Sequence, residues 1–368
     1  MNMETTSNTG AALAAPSPLS QSEKNRVLYL DFLRVFATFA VILLHLTVEI
    51  LKSTGVHSVS WNAMNIINSG TRWAAPVFFM ISGTLFLNKE YSLKNLYLKK
   101  IGRIVTCFVF WSALYALWAY RQGLSLKETV AVFLRGPEHF WFLFAIAGMY
   151  VFSPLLKRIA QSKTLTKYFL IITFSASVIT GGIVPVVGIF SDGIASILTQ
   201  WIHCSNMICA VSYAAYFVLG DYLNRAELSK KQTKIICAAG IVGFVMTVVL
   251  TLLFSSHYGK LMEQFYSYFS LNVVMMTAAV FVFVKRLYAS EKIPLKLQAF
   301  LQTVSKYCFG AFLIHYLLIH MAYDLFGTAL RSTSTVITFP LLFIAVSFIS
   351  FTVSVILNKI PVVKKYIV

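Results

Sequence analysis

The chain has 368 residues, of which 58% are hydrophobic and only 12% are charged, with 31 Lys and Arg against 13 Asp and Glu. A soluble domain of this length carries roughly 25% charged residues, so the composition argues against a soluble enzyme, a disordered chain and a disulfide scaffold. In a soluble protein the net charge of +18 would suggest a nucleic-acid partner, but the apolar content indicates a lipid bilayer.

A polar segment precedes a series of long apolar stretches. Residues 1–25 are rich in Ser, Thr, Ala, Asn and Pro, and we expect them to form a disordered cytoplasmic tail. Residues 26–368 are predicted to form one membrane domain, because their apolar stretches approach the roughly 20 residues that a helix needs to cross the hydrocarbon. The sequence therefore predicts an all-α integral membrane protein, a bundle of about ten transmembrane helices. The predicted spans are 28–50, 64–87, 98–120, 139–156, 168–190, 200–222, 234–254, 268–288, 300–322 and 335–358.

The basic residues predict the orientation of this bundle. With the N-terminus inside, 24 of the 31 Lys and Arg fall on the inner side and seven on the outer side. The acidic residues divide almost evenly, with seven inside and six outside. This asymmetry follows the positive-inside rule, so we expect both termini to be cytoplasmic. The basic excess is then a topology signal, and no nucleic-acid partner is expected.

The first predicted span, YLDFLRVFATFAVILLHLTVEI, carries ionisable groups, which are costly in lipid and are candidates for function. Arg34 and His45 share one helix face, about 16 Å apart along the axis, as in a site that runs through the membrane. Glu49 follows His45 by one turn, where a carboxylate can hold the ring. The alternative is that Arg34 reaches to the interface and His45 is hydrogen-bonded in the bundle core.

The third predicted span opens with the basic run LYLKKIGRI. Lys100 and Arg103 are three residues apart and share a helix face. They are suited to chelating a phosphate, Arg with two hydrogen bonds and Lys as a point charge. The positive-inside rule explains Lys99 and Lys100 equally well, whereas Arg103 lies deeper in the span.

Polar residues also line the outer half of the second predicted span. Asn65, Asn68 and Arg72 fall at helical spacings on one face, where they either hold a hydroxyl-rich acceptor or bond to neighbouring helices. At the start of the fourth span, Trp141 is typical of the membrane–water interface, where tryptophan is enriched. A histidine such as His139, two residues before it, is less common there. His315 lies near the middle of the ninth span, as either a site residue or a core histidine.

Six motifs occur in chain order along the predicted spans: LDFLRVFATFAVILLH, PVFFMISGTLF, KIGR, EHFWFLFAIAGMYVFSPL, YFVLGDYL and SKYCFGAFLIH. Together they resemble the acyltransferase-3 family, whose members are bacterial inner-membrane O-acyltransferases with ten core spans. The resemblance covers nearly everything from Val27 onward.

The resemblance implies transfer of an acyl group, usually from cytoplasmic acetyl-CoA, to a sugar hydroxyl of an envelope glycan or a lipid-linked precursor. It implies that Arg34 and His45 correspond to the arginine and the histidine of the first span that are essential in the family. It also implies that Lys100 and Arg103 correspond to the pair of basic residues in the third span. At the position of Lys100 the family commonly has arginine. Membrane lipids and the glycan acceptor are the expected partners, and no metal is expected.

Each candidate residue has a predicted role. His45 is the predicted base for the acceptor hydroxyl, or the carrier of a transient acyl group, with Glu49 as its orienting carboxylate. Arg34, Lys99, Lys100 and Arg103 are predicted to bind the polyanionic acyl-CoA. The residues predicted to bind the acceptor are Asn65, Asn68, Arg72, His139, Trp141 and His315.

A polytopic transporter or flippase for a glycan or small amphiphile is the competing function. Gly181, Gly182 and Pro185 interrupt the fifth predicted span, and broken helices are typical of transporters. A transporter should also show repeat symmetry between its halves. No second copy of the Arg-to-His stripe occurs in the later spans. The acyl group, the acceptor and the oligomeric state stay open at this point.

Overall fold

A computed structural model describes residues 21–204, 213–290, 293–332 and 335–368. Within those ranges the chain forms helices and connecting turns, and no β-strand occurs. The all-helical prediction is therefore confirmed. Helix α1 begins at Gln21, ahead of the domain boundary predicted at residue 26, and most of the predicted tail lies outside the described residues.

Seventeen α-helices occur in the described ranges, together with two π-helical turns at Leu96–Ile101 and Ile179–Ile183 and two 3₁₀ turns at Glu138–Phe140 and Glu263–Tyr266. The helices are α1 (Gln21–Ser53), α2 (Val59–Thr71), α3 (Ala74–Phe86), α4 (Leu93–Asn95), α5 (Gly102–Arg121), α6 (Leu126–Arg135), α7 (Trp141–Gln161), α8 (Lys163–Val178), α9 (Val184–Phe190), α10 (Asp192–Cys204), α11 (Ala214–Arg225), α12 (Lys230–Tyr258), α13 (Leu271–Ser290), α14 (Leu295–Ser305), α15 (Cys308–Ser332), α16 (Thr335–Lys359) and α17 (Pro361–Tyr366).

Eight stretches of the described residues are long and apolar enough to cross a membrane. The second predicted span instead comprises α2 and α3, and the sixth comprises α10 and α11 with residues 205–212, which lie outside the described residues, between them. The count of about ten spans and the cytoplasmic termini stay predictions. The eight stretches are Leu28–Ser53, Leu93–Arg121, Leu126–Gln161, Lys163–Phe190, Lys230–Tyr258, Glu263–Ala289, Cys308–Phe326 and Ile337–Lys359.

The break between α2 and α3 has a local cause. It lies at Arg72 and Trp73, and Arg72 is four residues before Pro76. Pro76 has no amide hydrogen to donate to the Arg72 carbonyl, and its ring crowds that carbonyl. The helix is therefore interrupted at this point. Arg72 and Trp73 nevertheless keep right-handed helical backbone angles.

Helix α1 runs through the middle of the bundle. It packs against α2, α3, α13, α14, α15 and α16, so the stripe that carries Arg34 and His45 is surrounded by protein. The peripheral helices behave differently, since α12 exposes Ile241 and Leu253 and α16 exposes Phe348. Apolar side chains on this outer surface are suited to contact with lipid acyl chains.

Small residues bring α3 and α11 into close contact. A Cβ atom on Gly83 would overlap the Phe217 carbonyl, and one on Gly220 would overlap the Met80 backbone. Glycine is thus required at both positions for this helix crossing. The crossing fixes α3, whose residues Phe78 and Ser82 line the cavity described next.

Candidate active site

A cavity of about 350 Å³ lies between α1, α3, α5, α7 and α15. Three cations line it, Arg34 from α1 together with Lys100 and Arg103 from the segment that enters α5. Much of the remaining wall is aromatic or aliphatic, including Phe142 and Phe312. We call the end of the bundle that holds these cations the basic end. A site of this kind suits a ligand with an anionic part and an apolar part.

Arg34 is held in place by an acidic neighbour that the sequence analysis did not assign to the site. Its Nη1 donates to Asp31 Oδ1 at 3.1 Å, and the same oxygen accepts from the Ser305 hydroxyl of α14 at 2.7 Å. Asp31 is buried, while 28% of the Arg34 side chain is exposed towards the cavity. The pair therefore orders the guanidinium without closing its access to a ligand.

The other predicted cations divide into two groups. Lys100 lines the cavity, and its Nζ lies 5.8 Å from the centre of the Tyr91 ring. Arg103 lies over the Phe309 ring at 5.8 Å and donates a hydrogen bond to the main-chain oxygen of Val368. Lys99 is exposed and is not part of the cavity wall. The structure thus brings Arg34, Lys100 and Arg103 together and leaves Lys99 outside.

Three histidines from three different helical segments meet deeper in the bundle. The ring centre of His45 lies 5.2 Å from that of His315 and 6.1 Å from that of His139. His139 and His315 are 5.1 Å apart. All three residues are candidates from the sequence, but only His45 is predicted there to be catalytic. Their convergence depends on how α1, α7 and α15 pack.

The three rings differ in accessibility and in hydrogen bonding. His45 is half-buried, whereas His139 is 2% exposed and His315 is fully buried. His315 Nδ1 lies 2.6 Å from the Phe312 carbonyl oxygen, which can only accept, so Nδ1 carries the proton. His315 Nε2 and both nitrogens of His139 have no described partner at hydrogen-bond geometry. His45 is therefore the histidine of this cluster that a ligand can reach most directly.

Phe312 connects the cavity to the histidine cluster. Its side chain lines the cavity, and its ring centre lies 5.2 Å from His139 and 5.7 Å from His315. Phe142, also in the cavity wall, lies 5.5 Å from Phe312. A ligand in the cavity would therefore have its charged end near Arg34 and its apolar end against rings that touch the histidines.

The acyltransferase-3 family model, described as an acyltransferase domain, matches residues 27–359. The chain belongs to this family. The resemblance drawn from the motifs is thereby confirmed, and membership implies an acyltransferase. Together with the eight apolar stretches it indicates a multi-pass membrane protein. Neither a curated protein nor a solved structure matches the chain.

In this acyltransferase-3 protein, Tyr316 and Glu138 belong to the histidine cluster, although the sequence analysis assigned neither. The Tyr316 ring lies 4.9 Å from His45 and 5.1 Å from His139, and its hydroxyl donates to Glu138 Oε2 at 3.1 Å. Glu138 is exposed, so it connects the buried cluster to the surface. The sequence pointed to both residues, because Glu138 opens the motif EHFWFLFAIAGMYVFSPL beside His139 and Tyr316 directly follows the motif SKYCFGAFLIH, which ends at His315.

The predicted polar stripe of the second span is engaged within the protein. Asn68 Nδ2 donates to Thr47 Oγ1 at 2.7 Å and to the Leu44 carbonyl at 3.3 Å, on either side of His45. Its Oδ1 accepts from Arg72 Nε at 2.7 Å. This network joins α2 to the segment of α1 that carries His45. The contacts favour the alternative in which the stripe bonds neighbouring helices.

Asn65 and Arg72 share a further partner in Tyr266. Asn65 Oδ1 accepts from the Tyr266 hydroxyl at 2.6 Å, while Asn65 Nδ2 donates to the Val248 carbonyl at 3.1 Å. The Arg72 guanidinium carbon lies 4.0 Å from the centre of the Tyr266 ring. Asn65 is buried, so its amide supports the packing of α2 against α12 in this structure.

Trp141 lies in an aromatic stack, apart from the cationic cavity wall. Its ring stacks on Tyr213 at 5.0 Å, and Tyr213 stacks on Phe79 at 4.6 Å. Tyr268 lies 5.6 Å from Trp141. Half-buried Trp141 is thus held by aromatic contacts, and its predicted role in binding an acceptor stays a prediction.

Glu49 lies one turn beyond His45 and is half-buried. Among the described residues no hydrogen bond joins the Glu49 carboxylate to the His45 ring, so the orienting role stays a prediction. The described residues also contain no group of three or more His, Cys, Asp or Glu that could hold a metal ion.

Proposed function

We propose that this chain is a membrane O-acyltransferase that moves an acyl group, with acetyl as the expected group, from acyl-CoA to a hydroxyl of an envelope polysaccharide or a lipid-linked glycan. The observation that carries this proposal is the cavity whose cations lie at one end and whose apolar end touches the histidine cluster. The basic end faces the cytoplasm in this proposal, where acyl-CoA is available.

The cavity wall matches the chemistry of the donor. Arg34, Lys100 and Arg103 offer the charge-assisted hydrogen bonds that phosphate oxygens accept most strongly. Phe142 and Phe312 offer an apolar surface for the thioester end. Lys99, exposed beside this wall, contributes charge at the entrance. The donor therefore enters with its thioester directed towards His45.

His45 acts as the general base. Its unprotonated nitrogen accepts the proton of the acceptor hydroxyl while that oxygen attacks the thioester carbonyl carbon. The C–O bond forms, the C–S bond breaks, and the sulfur of CoA leaves with the proton that His45 has held. The same ring would carry the acyl group if transfer proceeded through an acyl-histidine. The half-buried position of His45 supports this assignment over His139 and His315.

The second predicted span suggests the chemical class of the acceptor. The run VSWNAMNIINSGTRWAAPVFFMISGTLF resembles the membrane acetyltransferase that modifies enterobacterial common antigen. We therefore place the protein in the bacterial inner membrane and expect a related envelope glycan. The acceptor meets the histidine cluster on the side away from the cavity, where Glu138 reaches the surface. Trp141, His139 and His315 flank that approach, while Asn65, Asn68 and Arg72 shape it through their network.

Purified protein with radiolabelled acetyl-CoA tests this function. We expect CoA release that depends on a glycan acceptor, with label appearing on the glycan. His45→Ala should lower the rate at least 100-fold, within the roughly 10²–10⁴ that a general base contributes. His257→Ala, which removes an exposed histidine of α12, is the matched control and should be fully active.

Two results would contradict the proposal. A His45→Ala protein that is well folded and fully active would remove His45 from the chemistry. Movement of a glycan across vesicles without any thioester cleavage would instead identify a flippase.

A further inference from the structure

A second pocket, of about 320 Å³, lies beside the cavity at the basic end. It is formed by the loop between α3 and α4, the start of the π-helical turn and the last turns of α7. Neither the predicted site residues nor the proposed chemistry uses this pocket. Its wall combines basic side chains with aromatic rings, which is the combination that binds a nucleotide.

The charge of the pocket is positive. Lys89, Lys157 and Arg158 line it, against one carboxylate from Glu90. Lys157 Nζ donates to Glu90 and, at 3.0 Å, to the Lys89 carbonyl, which fixes its position in the wall. The hydrogen bond from Lys157 holds the pKa of Glu90 below its ordinary value, so that carboxylate stays ionised and paired. An excess of cations therefore remains available to an anion.

An aromatic wall joins this pocket to the cavity. The Phe86 ring stacks on Tyr91 at 4.3 Å on the pocket side and on Tyr150 at 4.6 Å on the cavity side. Tyr91 is half-buried, so part of it is open to a ligand. Lys100, which lines the cavity, lies over the same Tyr91 ring. The two pockets are thus neighbours with common walls.

Helix α7 also contributes residues to the walls of both pockets. Ile146 and Tyr150 line the cavity, and Ser153 and Lys157 line the second pocket. These residues follow at intervals of three or four, so they form one stripe along a single helix face, about 16 Å long. One extended ligand can therefore lie against α7 from the histidine side of the cavity to the second pocket.

We propose that the second pocket binds the 3′-phosphoadenosine part of acyl-CoA, while the cavity binds the pantetheine arm and the thioester. This inference rests on the proposed function. The phosphate on the ribose is held by Lys89, Lys157 and Arg158, and the adenine packs against the aromatic wall at Tyr91. The diphosphate lies between the two pockets, near Lys100 and Arg103.

Adenosine 3′,5′-bisphosphate, which lacks the pantetheine arm and the thioester, tests the pocket separately. We expect it to bind the purified full chain in neutral detergent, as measured by calorimetry. The double variant Lys157→Ala, Arg158→Ala should weaken binding at least tenfold, because it removes charge-assisted hydrogen bonds. Tyr91→Ala should weaken it by a smaller factor. Lys167→Ala removes an exposed lysine of α8 outside the pocket and should bind normally.

Enzyme kinetics provide the second readout. In the double variant the KM for acetyl-CoA should rise at least tenfold with little change in kcat. The kcat/KM for acetyl-pantetheine, which has no nucleotide, should equal that of the unaltered chain. A raised KM for acetyl-CoA with an unchanged kcat/KM for acetyl-pantetheine distinguishes loss of nucleotide binding from damage to the fold.

The outcomes distinguish this inference from the proposed function. Turnover of acetyl-CoA with nucleotide binding unaffected in the double variant would overturn the pocket assignment alone. Binding of the bisphosphate that depends on Lys157 and Arg158, without any thioester cleavage, would overturn the proposed function and leave the nucleotide pocket. Phosphatidylglycerol in mixed micelles that displaces the nucleotide and requires the same two residues would assign the pocket to a lipid headgroup and overturn the inference.

Discussion

Phe312 lies between the cationic cavity and the buried histidines, and from this position we predict that it limits the size of the acyl group under the proposed function. Its ring contacts His139 and His315 and closes the cavity at that end. Under the proposed function the acyl group lies against this ring. We expect acetyl, a short group, to be the one that occupies this end of the cavity.

Phe312→Ala should therefore admit longer acyl groups. Butyryl has two more methylenes than acetyl, and each buried methylene is worth about 0.8 kcal/mol, so the preference for butyryl-CoA relative to acetyl-CoA should rise roughly tenfold or more. The ratio of the two kcat/KM values measures it. Phe309→Ala is the control, because Phe309 lines the same cavity beside Arg103 rather than beside the histidines. An equal change in both variants would contradict the assignment.

Asp31 is expected to act through Arg34. Asp31→Asn removes the charge that orders the guanidinium but keeps the oxygen that accepts from Ser305. A hydrogen bond to a charged group is worth about 1.5–3 kcal/mol, so the KM for acetyl-CoA should rise about tenfold or more while kcat changes little. Steady-state kinetics check this split. The control is Asp192→Asn, at an exposed position of α10. A normal KM in Asp31→Asn would show that Arg34 does not depend on its partner.

Among the elements, the π-helical turn at Leu96–Ile101 and the glycine crossing of α3 and α11 do most to shape the site. The π-helical turn widens the helix where Lys100 lines the cavity and Leu96 lines the second pocket. Such turns occur often at functional sites. The motif LYLKKIGRI predicts a helix there, but the extra residue per turn follows from packing.

Gly83→Ala tests the crossing. The added methyl would overlap the Phe217 carbonyl, so α3 and α11 must separate, at a cost of about 1–3 kcal/mol. We expect a lower midpoint of thermal unfolding in detergent. Gly148→Ala is the matched control, because a Cβ at that position in α7 meets nothing within 4 Å. Equal midpoints for the two variants would show that the crossing tolerates a side chain.

At the scale of the whole molecule, orientation is the property that the basic residues predict. Gln161, at the end of α7, is expected inside, and Gln122, after α5, is expected outside. Both are exposed and suit a cysteine probe once the five native cysteines are replaced by alanine. In intact spheroplasts, an impermeant maleimide should label Gln122→Cys and should label Gln161→Cys only after lysis. The reverse labelling pattern would show that the bundle has the opposite orientation, with the cationic cavity facing away from the cytoplasm, where acyl-CoA is available.

The sequence by itself determined the helical membrane class, the family motifs, and the stripe that carries Arg34 and His45 on α1. These follow from local periodicity and composition, since a helix face is fixed by residues three and four apart. Tertiary structure decided that Lys99 stays outside the cavity, that Asn65 and Asn68 bond within the bundle, and that His139, His315 and Tyr316 converge on His45. Those outcomes depend on which faces of α1, α3, α7 and α15 meet, and helix packing joins residues far apart in the chain.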